Sequence, residues 1–493
     1  MILFADGLSN NYEIEMLSRM LFPGLSLGDS WDISTLSENE DIIKTGAAEN
    51  KNYAELSVLI RKDGQSYCEN KQIPLGDGKE YIRELARMLY RCALKSGVKE
   101  LRWGTLTGVR PIKLFHNLAA QGYSEQQANE IMKENFLISD EMAALAQQIR
   151  RTENEINQKS EPMGFSLYIS IPFCPQRCSY CSFVSQSIEK MRHLIDPYVD
   201  KLCCEISEFG DIAKNLGLKL HTVYFGGGTP TTLSPEQFIK VFGQIEKSFD
   251  LSHLLEYTVE AGRPDTIDRD KLVAIKKAGV TRLSVNPQTM NDDILNNIGR
   301  KHSSQDVVNA FNLAREIGFN NINMDLIAGL PGDTPESFEH SLKRVLELDP
   351  DNITVHSLTL KRSSTLVEEG AAAENYRRAA ETEQMVDMAR KLITGKGYKP
   401  YYLYRQKNTV GSLDNTGYAK PGKEGLYNVF IMDETHTIFA AGAGAVTKLK
   451  APYCDKIERI YNFKFPAEYL SRYEILQSRK ERVTKFYEDS KQL

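Results

Sequence analysis

Three cysteines, Cys174, Cys178 and Cys181, stand in the stretch YISIPFCPQRCSYCSF (residues 168–183) at a spacing of C-x3-C-x2-C. On a helix they would share one face, but Pro175 follows the first cysteine directly and the IPF before it disfavours a helix starting upstream. A loop leaving a strand is the expected setting, and such a loop can wrap three sulfurs around one object. Structural zinc normally closes four ligands, and the nearby His193 and His221 are isolated rather than paired at a ligand spacing. An iron–sulfur cluster normally takes four thiolates as well. Three would leave one iron without a protein ligand, which is what a cluster needs if it is to bind and reduce a substrate. The plainer alternative is three unrelated core or loop thiols.

A second signal follows about 45 residues on, in VYFGGGTPT (residues 223–231). An apolar run ends in three glycines and Thr-Pro-Thr, so a strand opens into a loop whose backbone can approach a ligand closely. It has neither the Lys-Ser/Thr of a phosphate-binding loop nor the spacing of a dinucleotide fingerprint. The alternative is a tight strand-to-helix turn.

The elements that must position these loops form a repeat. Residues 165–171, 222–227, 256–261, 282–288, 322–331 and 352–359 read as short strands, with helical segments at 194–216, 235–248, 268–278, 304–317 and 335–347 between them. Strand then helix, six times, predicts an α/β fold with parallel strands and right-handed crossovers, a partial (β/α)6 barrel. Ligands in such folds gather at the carboxyl ends of the strands. Those ends carry Cys174 to Cys181, Gly226 to Thr229, Glu260, Gln288, Asp325 and His356. Each of Glu260, Gln288 and Asp325 alone could instead cap a helix or satisfy loop amides. Together on one rim they read as a site.

Around the barrel, residues 165–370, the sequence predicts an N-terminal α+β domain (1–150), a linker (151–164) and a C-terminal helical and strand extension (371–493) covering the active site. The extension holds the tyrosine-rich YKPYYLYRQKN (398–408), whose rings suit a flat ligand or ordinary packing, and FAAGAGAVTKL (439–449), a Gly-rich loop able to approach an adenine. Of 493 residues 41% are hydrophobic and 26% charged, a globular composition. No apolar run is long enough to span a bilayer and no leader pattern opens the chain, so a cytoplasmic protein is expected. With 61 Lys+Arg against 66 Asp+Glu, net −5, and no basic stripe, neither nucleic acid nor membrane is an expected partner. The other five cysteines read as small buried apolar residues rather than a disulfide scaffold.

The cysteine stretch together with GGGTPT resembles the radical S-adenosylmethionine (SAM) superfamily, in the branch of oxygen-independent coproporphyrinogen III oxidase. GTLTGVRPIKL (104–114) and GYAKPGKEGLYN (417–428) resemble its HemZ-type coproporphyrinogen dehydrogenases. The resemblance implies that Cys174, Cys178 and Cys181 hold a [4Fe–4S] cluster and that SAM completes the fourth iron. It places Tyr168 and Tyr180 along SAM, Gly227, Gly228 and Thr229 at its methionine part, Glu260, Gln288 and Arg300 on its polar groups, and Asp325 near the ribose. His356 and Val446 complete the implied cofactor set. The implied activity is a radical oxidoreductase of haem biosynthesis. A 5′-deoxyadenosyl radical abstracts hydrogen from two propionates of coproporphyrinogen III, each of which then loses carbon dioxide and an electron to become vinyl in protoporphyrinogen IX. A reductant such as flavodoxin or ferredoxin is the implied partner. The substrate's carboxylates call for cations, and Arg263, Arg282, Lys301 and Arg362 are candidates. Two positions depart from the oxidase pattern: Ser170 stands in place of a histidine, and Phe183 in place of a fourth cysteine. Alternatives within the resemblance are a haem chaperone, which keeps the cluster motifs, and another tetrapyrrole-directed radical reaction.

Overall fold

The computed structural model describes residues 1–7, 11–28, 40–76, 78–181, 183, 186–359, 378–406 and 413–490. The chain forms two compact units, one of Met1–Arg150 joined by Arg405 and Gln406, the other of Arg151–Tyr404 with the later residues.

In the first unit a five-stranded sheet runs in the spatial order Ser26–Leu27, Ile2–Asp6, Ile42–Glu49, Tyr53–Lys62, Gln65–Pro74. Asp63 and Gly64 both have positive φ, 52° and 74°, the pairing that a two-residue hairpin between the last two strands requires. Alternation along Tyr53–Lys62 sends Leu56, Val58 and Ile60 to one face, where Ile14 and Leu17 of helix Tyr12–Leu21 and Leu85 and Leu89 of helix Gly78–Lys95 bury them. Helix Asp140–Asn157 extends through the first half of the stretch expected to be linker, and the next strand opens at Gly164. No Gly or Pro interrupts it before Pro162, so nothing in those residues ends the helix earlier.

The second unit is the repeat that the sequence predicts. Its parallel strands are β1 (Gly164–Ile171), β2 (Lys219–Gly227), β3 (Glu256–Glu260), β4 (Arg282–Ser284), β5 (Ile322–Ala328) and β6 (Asn352–Ser357). They are joined through α1 (Ile195–Leu216), α2 (Pro235–Ser248), α3 (Arg269–Lys277), α4 (Ser304–Ile317) and α5 (Pro335–Glu347). The caps explain the clean boundaries. Ser234 and Ser303 close capping boxes, Asp268 and Thr334 accept from the first turn of their helices, and Gly217 and Gly318 end theirs in the left-handed region.

One face of each strand is apolar. Leu167, Ile169, Val223, Phe225, Val259, Leu283, Met324, Leu326, Ile353 and Val355 pack under the helices in a single core. The other face is polar, because residues paired in parallel register share a side: Tyr168 pairs with Tyr224, Tyr224 with Thr258, and Thr258 with Arg282. That polar face is the barrel interior.

After α6 (Ala379–Gly395) the chain adds five strands to this same sheet: β7 (Lys399–Arg405), β8 (Asp414–Ala419), β9 (Thr437–Ala441), β10 (Val446–Lys450) and β11 (Ile457–Tyr461). The sheet order is β7-β8-β6-β5-β4-β3-β2-β1-β9-β10-β11. The extension therefore lengthens both edges, with β8 antiparallel to β6 and β9 parallel to β1. A short helix, α7 (Leu426–Asp433), lies between β8 and β9, and α8 (Tyr473–Ser490) packs on α1. The expected domain boundary at residue 370 and the candidate Arg362 fall outside the described residues. Among the described residues no helix is long and apolar enough to cross a membrane.

Candidate cluster and cofactor site

The cysteine loop leaves the carboxyl end of β1, as the sequence predicts. Phe173 is fully buried and meets Tyr198 of α1 edge-on, ring centroids 5.2 Å apart, which pins the loop one residue before Cys174. Tyr198 donates to the Ser170 carbonyl at 2.7 Å and accepts from the Ala443 amide at 2.8 Å. The Ser170 hydroxyl donates to the Ala443 carbonyl at 2.8 Å. Where the oxidase pattern carries an imidazole, this chain thus ties β1 to the Gly-rich loop after β9. Glu205, fully buried on α1, fixes that loop from behind: it accepts from the Gly442 amide (2.8 Å), the Tyr469 hydroxyl (2.7 Å) and Asn462 (3.0 Å).

The glycine loop of β2 lies against the cysteines. The Gly228 amide donates to the Ile171 carbonyl and the Thr229 amide to the Phe173 carbonyl, both at 2.8 Å, and the Thr229 hydroxyl donates to Cys174 Sγ at 3.4 Å. A Cβ on Gly228 would sit 2.6 Å from the Phe173 carbonyl oxygen and 2.9 Å from Cys174 Sγ, so only glycine permits this approach. Gly227 has φ +105°, a conformation that other residues rarely adopt. Burial pushes the Cys181 thiol up, and the neighbouring Cys178 and Cys174 add to it; the Cys181 amide donates to the Cys178 carbonyl at 3.1 Å.

Two buried guanidiniums complete this end. Arg300 donates to the Asn286 carbonyl (2.6 Å), to the Gly262 carbonyl (3.4 Å) and to the Tyr180 hydroxyl (3.2 Å). It therefore ties the ends of β3 and β4 to the cysteine loop. Arg263 grips Asp265 with Nε and Nη2 (3.0 and 3.1 Å), while its Nη1 reaches the Gln176 carbonyl (3.3 Å) and Cys178 Sγ (3.8 Å). His302 Nδ1 stands 3.8 Å from Asp265. Arg263, one of the four cations considered for the substrate carboxylates, is thus engaged by Asp265 and the cysteine loop. Of the other cations considered for that role, Arg282 is buried in the barrel interior and Lys301 is exposed.

Further along the rim lie the acids. Burial raises the Glu260 carboxyl to about 7; the Tyr224 hydroxyl, donating at 2.5 Å, works the other way, and nearby Asp325 adds to the rise. Asp325 sits below the usual range despite its burial, because His356 (3.7 Å) and Asn323 (2.7 Å) hold the charged form. Gln288 adopts φ +68°, unusual for a non-glycine residue, and exchanges backbone hydrogen bonds with Asp325 and Ile327 at 2.9 Å. Tyr168 lies over Tyr224 and Tyr427 with ring centroids 6.2 Å from each, and Tyr224 stacks on Tyr427 at 4.4 Å.

The structure brings together Cys174, Cys178, Cys181, Tyr180, Gly227, Gly228, Thr229 and Arg300 at one end, and Tyr168, Glu260, Asp325 and His356 beside them along the interior; Gln288 bonds Asp325. Val446 is exposed at the start of β10, opposite Tyr461. Sequence reasoning missed the Arg263–Asp265 fork, Tyr198, Glu205, Tyr224 and Tyr427. The GRPD one residue beyond β3 was the one local signal; the others emerge only from long-range pairing.

The residues fit a cluster with an open iron and a zwitterionic sulfonium ligand. Three soft sulfur donors share one loop, backbone without side chains lies against them, and Arg300 Nε and Asn286 Oδ1 are buried without hydrogen-bond partners among the described residues.

The sequence profile of the Radical SAM superfamily matches residues 168–345. The oxygen-independent coproporphyrinogen-III oxidase-like protein HemZ of Bacillus subtilis (strain 168) is 40% identical over 381 residues, 76% of this chain and 75% of that protein. The chain belongs to the HemZ-type radical SAM family. Its cofactors are accordingly a [4Fe–4S] cluster and SAM. The heme chaperone HemW of the same organism is also similar to this HemZ-type chain, 36% identical over 56% of it and 70% of HemW. The solved structure of coproporphyrinogen III oxidase (HemN) from Escherichia coli, described as a radical SAM enzyme, shares the HemZ-type fold: TM-score 0.52 and 24% identity, over 66% of this chain and 73% of that one.

Proposed function

We propose that the protein catalyses the oxygen-independent oxidative decarboxylation of coproporphyrinogen III to protoporphyrinogen IX. The observation that carries this reading is the intact rim, with three thiols, glycine backbone and the acids Glu260 and Asp325 all facing a tyrosine-lined interior. Similarity to an oxidase-like relative across three quarters of its length supports it.

Bound cluster and SAM supply the reducing electron and the carbon-centred radical. The chain's residues bind and orient. Cys174, Cys178 and Cys181 would hold the cluster, whose open iron would take SAM. Gly227, Gly228 and Thr229 offer backbone to the methionine part. Glu260, when ionised, accepts from the ammonium, and Gln288 and Arg300 fix the neighbouring polar groups. Asp325, kept charged by His356, accepts from ribose hydroxyls. Tyr168 and Tyr180 shield the site from water. In the substrate each reacting propionate would give a β-hydrogen atom to the deoxyadenosyl radical, then release carbon dioxide and pass one electron to an external one-electron acceptor. A flavodoxin- or ferredoxin-type protein is the proposed reductant.

The 36% identity to HemW supports a second reading, a haem-holding protein. Anaerobic incubation of reconstituted protein with dithionite, SAM and coproporphyrinogen III separates the two, with 5′-deoxyadenosine and porphyrins followed by mass spectrometry. Loss of two carboxyl groups, abolished by Cys178→Ala, is the result expected. Cleaved SAM without decarboxylation would move the substrate elsewhere, and stable haem binding without cleavage would favour the carrier.

A further inference from the structure

Cys178 differs from the other two cysteines in what surrounds it. Cys174 receives a neutral hydroxyl from Thr229. Cys178 faces a cation: Arg263 Nη1 lies 3.8 Å from its sulfur, and that guanidinium is only 3% exposed. Its position is fixed on two sides. The Asp265 carboxylate takes Nε and Nη2 in a bidentate fork, and Gln176, two residues before Cys178, takes Nη1 through its carbonyl at 3.3 Å. Asp265 is itself backed by His302, whose side chain is fully buried, and its carboxyl is held well below the usual range, so the fork stays ionised at neutral pH. A guanidinium placed in this way has no freedom to leave the sulfur for solvent.

We propose that Arg263, oriented by Asp265, is a positioning residue that sets the reduction potential of the cluster through Cys178. This rests on the reading that Cys178 is a cluster ligand. Reduction adds one negative charge to the cluster and its thiolates. A buried N–H donor with a positive charge at one ligand sulfur stabilises that charge more than it stabilises the oxidised form, and so makes the cluster easier to reduce. The Asp265 carboxylate, one atom layer further out, opposes this in part while holding the fork in place. The two residues therefore act on the potential with opposite signs, which a purely structural role does not predict.

The test is a spectroelectrochemical titration of the one-electron couple in anaerobically reconstituted full-length protein without SAM, with iron and sulfide counted for each sample. Arg263→Gln removes the cation and should lower the equilibrium constant for reduction roughly tenfold, about 59 mV to the negative for one electron. Asp265→Asn leaves the guanidinium less compensated and should shift the couple to the positive. Opposite shifts at full iron content support the proposal. Unchanged potentials, or shifts of the same sign in both variants, overturn it. If Arg263→Gln takes up no cluster, Asp265→Asn decides alone, a positive shift supporting and any other result overturning. Wild-type protein that binds no cluster, or a Cys178→Ala variant that binds it as wild type does, would remove the ligand assignment itself and is distinguishable because it precedes any potential measurement.

Discussion

Glu260 is where the demands of the fold and of the cofactor oppose each other. Replacing it with Gln keeps its shape and its acceptor for the Tyr224 hydroxyl but removes the charge. A carboxyl raised from 4.5 to about 7 binds its proton more tightly in the folded than in the unfolded chain. Below about pH 4.5 both states are protonated and the group contributes no difference. As pH rises to 7 the unfolded chain ionises freely while the folded one resists, so the native state loses stability. At 1.36 kcal/mol per pH unit the loss is about 3 kcal/mol, and partial exposure lowers it to about 2–3 kcal/mol. Cofactor-free Glu260→Gln should therefore be more stable than wild type by that amount at pH 8, with the gap closing toward pH 5. Urea titrations of both proteins between pH 5 and 8, followed by tryptophan-independent far-ultraviolet dichroism, measure it. The same variant should bind SAM at least tenfold more weakly at pH 8, read by calorimetry on the reconstituted protein. A stability difference that does not vary with pH, or a variant less stable at pH 8, would refute the reasoning.

Glu205→Ala leaves Lys480 short of one partner and the Gly442 amide unpaired, and should destabilise the second unit by about 3–5 kcal/mol in chemical denaturation. Tyr198→Phe removes the hydroxyl that joins Ser170 to Ala443; the expected cost is about 1–3 kcal/mol, with a weaker SAM affinity measured by calorimetry. The Asp325 carboxyl, held low by His356, contributes stability above its unfolded value that disappears on acidification. His356→Gln should therefore be less stable than wild type at pH 7, with the deficit shrinking below about pH 4 in urea titrations. Turnover of coproporphyrinogen III should require anaerobic preparation, and full turnover by an air-exposed sample would refute the cluster mechanism.

The barrel was legible because its information is local. Each helix carries its own cap, as Ser234 and Ser303 do, and each strand its own apolar run, so the helix bounds match the sequence pattern to within a residue. The rim was legible for a related reason: strand ends can be counted, and Glu260, Asp325 and the glycines stand at them. The interior was not. Tyr427 stacks on Tyr224 across two hundred positions, and nothing near either residue announces the partner. Arg263 looked like any cation suited to a carboxylate until its fork on Asp265 was seen. The expected run at 282–288 is a continuous strand only to Ser284; the chain meets the neighbouring strand again at Gln288, which bonds Asp325 and Ile327 from a left-handed conformation that no local pattern announces. The C-terminal residues 371–493 read from the sequence as a helical and strand extension covering the active site, with no strand partners assigned. Their joining of both sheet edges depends on pairings that no local pattern encodes.

Those edges have a consequence for biosynthesis. β1 is among the first barrel strands to leave the ribosome, and β9, which pairs with its outer edge from Phe165↔Thr437 to Ile169↔Ala441, is among the last. At about 5–20 residues per second the outer edge of a fully apolar-backed strand waits on the order of tens of seconds for its partner. Throughout that interval the nascent chain presents an unpaired β edge bearing the cysteine loop. Neither the outer edge of β1 nor the latch from Ser170 to Ala443 can be completed before residues 437–443 are made, so protein truncated ahead of them should be captured by chaperones or aggregate rather than take up a cluster.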